Sequence, residues 1–140
     1  MLDAALARVA AALRMADDPW WVIGSAAVWI HGAATPVADI DVLLSARDAA
    51  RVLAAWQGAV SIGEPSAQFR SHPFARLDGA AMPIELMADL ELRVGDAWRP
   101  VRPLTRERRG RVYVPARAEL AAILHAFGRP KDVARAMLLG

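Results

Sequence analysis

The chain has 140 residues, 56% of them hydrophobic and 23% charged, with a formal net charge of +2 and no cysteine. That length suits one domain with its own core, residues 1–140, and is short for two. The missing cysteines exclude disulfides and thiolate metal sites and point to a reducing cytoplasm; no apolar run approaches the roughly 20 residues that span a bilayer, and so small a net charge argues against strong generic nucleic-acid affinity.

In chain order, Leu2 to Met15 sets Leu2, Leu6, Val9 and Leu13 on one helical stripe, and Asp17-Asp18-Pro19 ends it. Trp20 to Ile23 is an apolar strand stopped by Gly24-Ser25. A short helix from about Ser25 to His31 follows, closed by Gly32, and the loop Ala33 to Ala38 delivers the chain to a second apolar strand that carries Asp39 and Asp41. Ser45 is placed to N-cap a third helix, Ala46 to Gln57, with Gly58 past its end. Beyond Gly58 the pattern changes. Val60 to Ile62, Gln68 to Leu77, Pro83 to Met87, Leu92 to Val94 and Arg111 to Val114 read as strands, with Gly95-Asp96 as a hairpin turn. Pro115 introduces a helix over Ala116 to Phe127. Gly128 stops it, and Pro130 suits the first turn of a last helix.

The chemistry concentrates between Gly24 and Asp41. Residues i and i+2 of a strand share a face about 6.5–7 Å apart, so Asp39 and Asp41 present two carboxylates side by side. Like charges at that distance favour a cation between them. Mg²⁺ fits, because it takes carboxylate oxygens together with substrate phosphate oxygens, and two such ions clamp both ends of an in-line displacement. Gly24 lets the backbone approach a phosphate, and Ser25 opens a helix whose positive end favours an anion. An Asp-x-Asp alone also fits a solvated strand edge; acids inside so apolar a strand are the more specific signal. Lys131 is the only lysine in a chain that otherwise uses arginine, which marks a position suited to a compact ammonium.

Gly24-Ser25, a helix, and then Asp39-Ile40-Asp41-Val42 resemble the core motif of the DNA-polymerase-β-like nucleotidyltransferases, in particular the small prokaryotic minimal and abortive-infection types. The resemblance implies an α/β (α+β) nucleotidyltransferase-like fold, a short mixed sheet flanked by helices. It implies a third metal-site carboxylate on a later strand, at Glu85, with Asp89 and Glu91 as nearby rivals. Gly128-Arg129-Pro130-Lys131-Asp132 is similar to a motif at the head of the last helix in abortive-infection relatives, with Lys131 as a charge for the triphosphate; a surface lysine at a helix start is the ordinary alternative. The implied activity is Mg²⁺-dependent transfer of a nucleotidyl group from an NTP, with ATP expected, to a hydroxyl on a protein, an RNA or a small molecule such as an aminoglycoside. Asp39, Asp41 and Glu85 would hold two ions, and Gly24, Ser25 and Lys131 would contact the nucleotide.

The chain departs from the family pattern at Ala33-Ala34-Thr35-Pro36-Val37-Ala38, where many relatives carry an arginine before the acidic strand. A catalytically inactive copy acting as an interaction module, for example in a toxin–antitoxin pair with a partner protein, is the alternative expectation. His31, His72 and His125 lie on separate elements without metal-ligand spacing, and the arginines from Arg99 to Arg111 read as a solvated loop or as a surface for RNA or an acidic partner.

Overall fold

The computed structural model describes residues 1–140. Helix α1 (Leu2–Ala12) leads to strand β1 (Trp21–Ile23), helix α2 (Gly24–Ile30), strand β2 (Ile40–Leu44) and helix α3 (Ala46–Ala55). Strands β3 (Val60–Gly63), β4 (Phe69–Arg70), β5 (Phe74–Leu77), β6 (Ile84–Ala88), β7 (Glu91–Val94), β8 (Ala97–Pro100), β9 (Glu107–Arg109) and β10 (Val112–Val114) follow, and helices α4 (Arg117–Phe127) and α5 (Pro130–Leu138) close the chain.

The central sheet has the order β1-β2-β6-β5-β3 and is mixed. Strands β2 and β6 are parallel, whereas β1–β2, β6–β5 and β5–β3 are antiparallel. Its middle is apolar because β2 and β6 are covered: Ile40, Val42, Leu43 and Leu44 are buried along β2, and on β6 burial alternates, with Ile84, Leu86 and Ala88 inside and Glu85 and Met87 half-buried. Helix α2 packs on β2 and α5, α4 packs on α5, and α3 packs against β6.

The local signals act as their chemistry requires. The Ser45 hydroxyl accepts from the Asp48 amide at the start of α3. Gly128 takes the left-handed conformation that ends α4, with φ of 73°, and Pro130 opens α5.

Three expectations need correction. The acidic strand starts at Ile40, so Asp39 stands on the last residue of the loop rather than inside the strand. The run from Gln68 to Leu77 is two strands in two different sheets, β4 with β7 and β5 with β6, and Pro73, which has no N–H to give a ladder, lies in the joint. The Gly95-Asp96 turn does join a hairpin, whose second arm, β8 (Ala97–Pro100), has no strand pattern of its own; β9 (Glu107–Arg109) has no sequence signal either, and both have little apolar alternation and become strands by pairing with β7 and β10.

The chain entering β1 is anchored by Asp48 of α3, 1% exposed, whose two carboxylate oxygens accept from the Asp17 and Asp18 amides at 2.9 Å each. Asp48→Ala would strand both amides. Urea unfolding should show a loss of about 1–3 kcal/mol, since each of the two part-buried hydrogen bonds contributes about 0.5–1.5 kcal/mol; a loss under about 0.5 kcal/mol would refute the anchoring role.

Candidate active site

The register of the central sheet brings the site together. Asp41 is the direct neighbour of Ile23 on β1 and of Glu85 on β6. Glu85 in turn faces Arg76 on β5, with Nη1 3.9 Å from Oε1. Asp39, one residue before β2, folds back toward the same point, and a ligand oxygen from each of Asp39, Asp41 and Glu85 lies within 4.8 Å of the others.

Gly24 makes the arrangement possible. Its φ is +66°, a region an L side chain rarely adopts, and a Cβ placed there would stand 2.5 Å from Asp41 Oδ2. The Asp41 carboxylate occupies the room that the missing side chain leaves. Its other oxygen, Oδ1, is buried and has no hydrogen-bond partner, the only side-chain nitrogen or oxygen in the chain of which that is true. Burial, joined by the charges of Asp39 and Glu85, holds the Asp41 carboxyl well above the usual carboxylate range. Glu85 is pushed up too, first by burial and then by Asp39, with a hydrogen bond from the protonated Asp41 carboxyl, then Arg76 and Lys131, working in the opposite direction.

A buried, unpartnered carboxylate oxygen among two further carboxylates is the donor set of a hard divalent cation. Mg²⁺ fits these residues: the donors are all oxygens, and the ion would supply the partner Asp41 Oδ1 lacks.

The acids open into a cavity of about 540 Å³. Gly24 and Ser25 line it beside Asp41, and Lys131 and Arg129 line it from the start of α5. Lys131 is exposed and makes no ion pair, so its ammonium is free to meet an anion. Arg129 is held instead. Asp132, 1% exposed, takes its Nε at 2.6 Å and its Nη2 at 3.1 Å, and also accepts from the Arg129 amide at 3.3 Å. The guanidinium lies over the Phe69 ring, 4.9 Å from its centroid. Its charge is felt at Asp41, where it favours the ionised form. The loop before Asp39 carries no cation, and Arg129, which the sequence signals only as part of the Gly128–Asp132 run, is a cation that reaches the site from elsewhere in the chain.

Of the rivals to Glu85, neither joins the cluster. Asp89 lies past the end of β6 with φ of 48°, and Glu91 pairs with Arg70 at 2.7 Å and His72 at 3.0 Å, which pull its carboxyl down to about 2. His31 is buried and bonds the Pro115 carbonyl at 2.8 Å, a structural contact. A larger groove, about 710 Å³, runs between α1 and α3 and holds no comparable cluster.

No protein-family model and no curated protein matches the chain in sequence. Solved structures do match its shape. The crystal structure of a Thermotoga maritima protein provisionally named a nucleotidyltransferase superposes with a TM-score of 0.68 at 22% identity, covering 86% of this chain and 81% of that one. The solution structure of the antibiotic-resistance factor ANT(2'')-Ia gives 0.58 at 10% identity, over 98% of this chain and 82% of that one. The crystal structure of ANT(2'')-Ia in complex with adenylyl-2''-tobramycin gives 0.56 at 12% identity, over 99% and 88%. The chain therefore has the nucleotidyltransferase fold, a mixed α+β architecture, and no helix in it is long and apolar enough to cross a membrane.

Two outcomes follow from the Gly24–Asp41 pair. Gly24→Ala should cost at least about 2 kcal/mol in urea unfolding, because it adds backbone strain and a clash with a carboxylate that has nowhere to go. Asp41→Asn should raise metal-free stability at neutral pH by about 1–2 kcal/mol. The sign follows from linkage: a carboxyl whose folded pKa is raised favours the fold at low pH and loses that contribution as pH rises through the folded value, and asparagine removes the loss. A metal-free Asp41→Asn protein less stable than wild type at pH 7 would show that a fixed cation already pairs the carboxylate.

Proposed function

We propose that this protein is a Mg²⁺-dependent nucleotidyltransferase that moves a nucleoside monophosphate from an NTP, with ATP as the expected donor, to an acceptor hydroxyl. The observation that carries the reading is Asp41 Oδ1, buried without a partner at the meeting point of three carboxylates, at the mouth of a cavity flanked by Arg129 and Lys131. The fold shared with nucleotidyltransferases supports it.

Asp39, Asp41 and Glu85 would hold two ions, and the bound metal would neutralise charge on the phosphates and orient the attacking oxygen. Asp41 sets the position of the group, since its carboxylate is wedged against Gly24 between the buried Ile23 of β1 and the half-buried Glu85 of β6. Glu85, whose proton affinity is raised, is suited to take the proton of an acceptor hydroxyl. Gly24 and Ser25 would receive phosphate oxygens beside Asp41. Lys131 and Arg129 would share the rest of the triphosphate charge, the first as a mobile point charge and the second as a fork fixed by Asp132. The new bond joins the acceptor oxygen to the α-phosphorus, and pyrophosphate leaves with the electron pair of the broken bond.

Thermal unfolding tests the site. ATP with Mg²⁺ should raise the melting temperature of wild type, ATP with a chelator should do much less, and Asp39→Asn or Asp41→Asn should remove the response, because a ligand that binds only the native state stabilises it by mass action. An unchanged melt with every NTP would instead favour an inactive module that binds a partner protein.

Lys131→Ala should weaken Mg-ATP affinity by about 1.5–3 kcal/mol, the loss expected for a charge-assisted contact, and Lys131→Arg should recover only part of it. Calorimetric titration of wild type and both variants measures this. Equal affinity in all three would remove Lys131 from the nucleotide site.

A further inference from the structure

The end of β1 away from the acids opens onto a second cavity, about 580 Å³, enclosed by the C-terminal end of α1, the segment Asp17 to Trp20 and the β9–β10 hairpin. Its floor contains Trp20 and Tyr113, whose rings meet edge to face with centroids 5.3 Å apart. Arg14, Arg106, Arg108 and Arg111 line it.

Asp17 and Asp18 also line this cavity, but both are already neutralised from α3: Arg51 pairs with Asp17 at 2.5 Å, and Arg47 holds Asp18 through two bonds of 2.7 Å. No carboxylate lies within ion-pair distance of Arg14, Arg106, Arg108 or Arg111. Arg106 is fixed in place, with Nε on the Trp20 carbonyl at 3.2 Å and its guanidinium 3.4 Å from the Tyr113 ring centroid. Arg108 turns its Nε to the Gly110 carbonyl at 3.1 Å, and the Arg14 and Arg111 side chains make no hydrogen bond within the chain.

The small net charge of the chain hides this concentration. Residues 99 to 111 carry six arginines and one glutamate, +5 in a chain whose total is +2, so the remainder carries −3. None of the exposed large hydrophobic residues lines the cavity, which leaves it without the apolar anchor a protein interface is built on.

We propose that this cavity binds the phosphodiester backbone of a nucleic acid, without regard to base sequence. Guanidinium forks pair phosphate oxygens in two-point contacts, and unpaired ones cost little to desolvate when a phosphate replaces water. The Tyr113 ring already meets Arg106 and Trp20, so the site offers charge to a backbone rather than a free platform to a base. The Asp39–Asp41–Glu85 cluster sits where β1 ends, and this site where β1 begins, so it is separate from the nucleotide cavity and does not depend on transfer activity.

The test uses the whole protein, without nucleotide or metal, and the fluorescence anisotropy of a labelled single-stranded RNA and a labelled DNA duplex over a range of salt. Affinity should fall linearly on logarithmic axes as salt rises. The Arg14→Gln/Arg111→Gln double variant should flatten that slope by about 1.4 for a single strand and about 1.8 for a duplex, the values for two lost phosphate contacts. Its melting temperature should match wild type, since neither side chain has an internal partner. Arg99→Gln, outside the cavity, should leave the slope unchanged. Three results would overturn the proposal: no binding to either oligonucleotide at low salt, a slope that the double variant does not alter, or poly-glutamate competing as well as the oligonucleotide, which would assign the arginines to an acidic protein.

Discussion

The Asp41 carboxylate and the absent side chain of Gly24 compete for one volume, and the site depends on how that competition is settled. A Cβ at Gly24 would come within 2.5 Å of Asp41 Oδ2, and the turn that puts Gly24 there requires φ of +66°. Glycine satisfies both demands at once. With the end of β1 closed down in this way, Asp41 has a single place to go, pressed between Ile23 and Glu85 on the neighbouring strands. The result is a carboxylate in a position that is unfavourable until a proton or a cation neutralises it, the property the proposed metal site would use.

The charges around this point are arranged in order of rigidity. Asp41 is wedged, and Glu85 is held in register beside it and moderated by Arg76 across the sheet. Arg129 is fixed by a nearly fully buried Asp132, while Lys131, two residues along the same run, has no partner. In the proposed function, a fixed fork and a free ammonium on one helix start would divide the work of meeting a triphosphate between position and adaptability. At the far end of β1 the opposite balance holds: the acids are paired from α3 and the arginines have no carboxylate partner.

Local structure was readable wherever a residue acts through its own backbone. Ser45 caps α3, Gly128 ends α4 and Pro130 starts α5, because each sets or satisfies its own dihedrals and amides. Where strand identity comes from a partner, the reading failed. Phe69–Arg70 and Phe74–Leu77 look like one strand until β7 and β6 claim them separately, and Glu107–Arg109 looks like a loop until β10 pairs with it.

Paired acids in an apolar strand, a Gly-Ser turn before them and a lone lysine were legible in the chain alone, since spacing, apolar surroundings and an isolated residue type are properties of the chain. Glu85 was singled out by the family resemblance, which implies a third carboxylate on a later strand. Tertiary structure alone decided that Glu85 stands beside Asp41 while Asp89 and Glu91 do not, because that choice is made by the parallel register of β2 and β6. It alone brought Arg129 to Asp41, and it alone gathered Arg14 with Arg106, Arg108 and Arg111, residues nearly a hundred positions apart. The physical reason is the same in each case. A side chain's type and local spacing are written in the chain, but which charges share one low-dielectric space is set by sheet order and by what is buried between them.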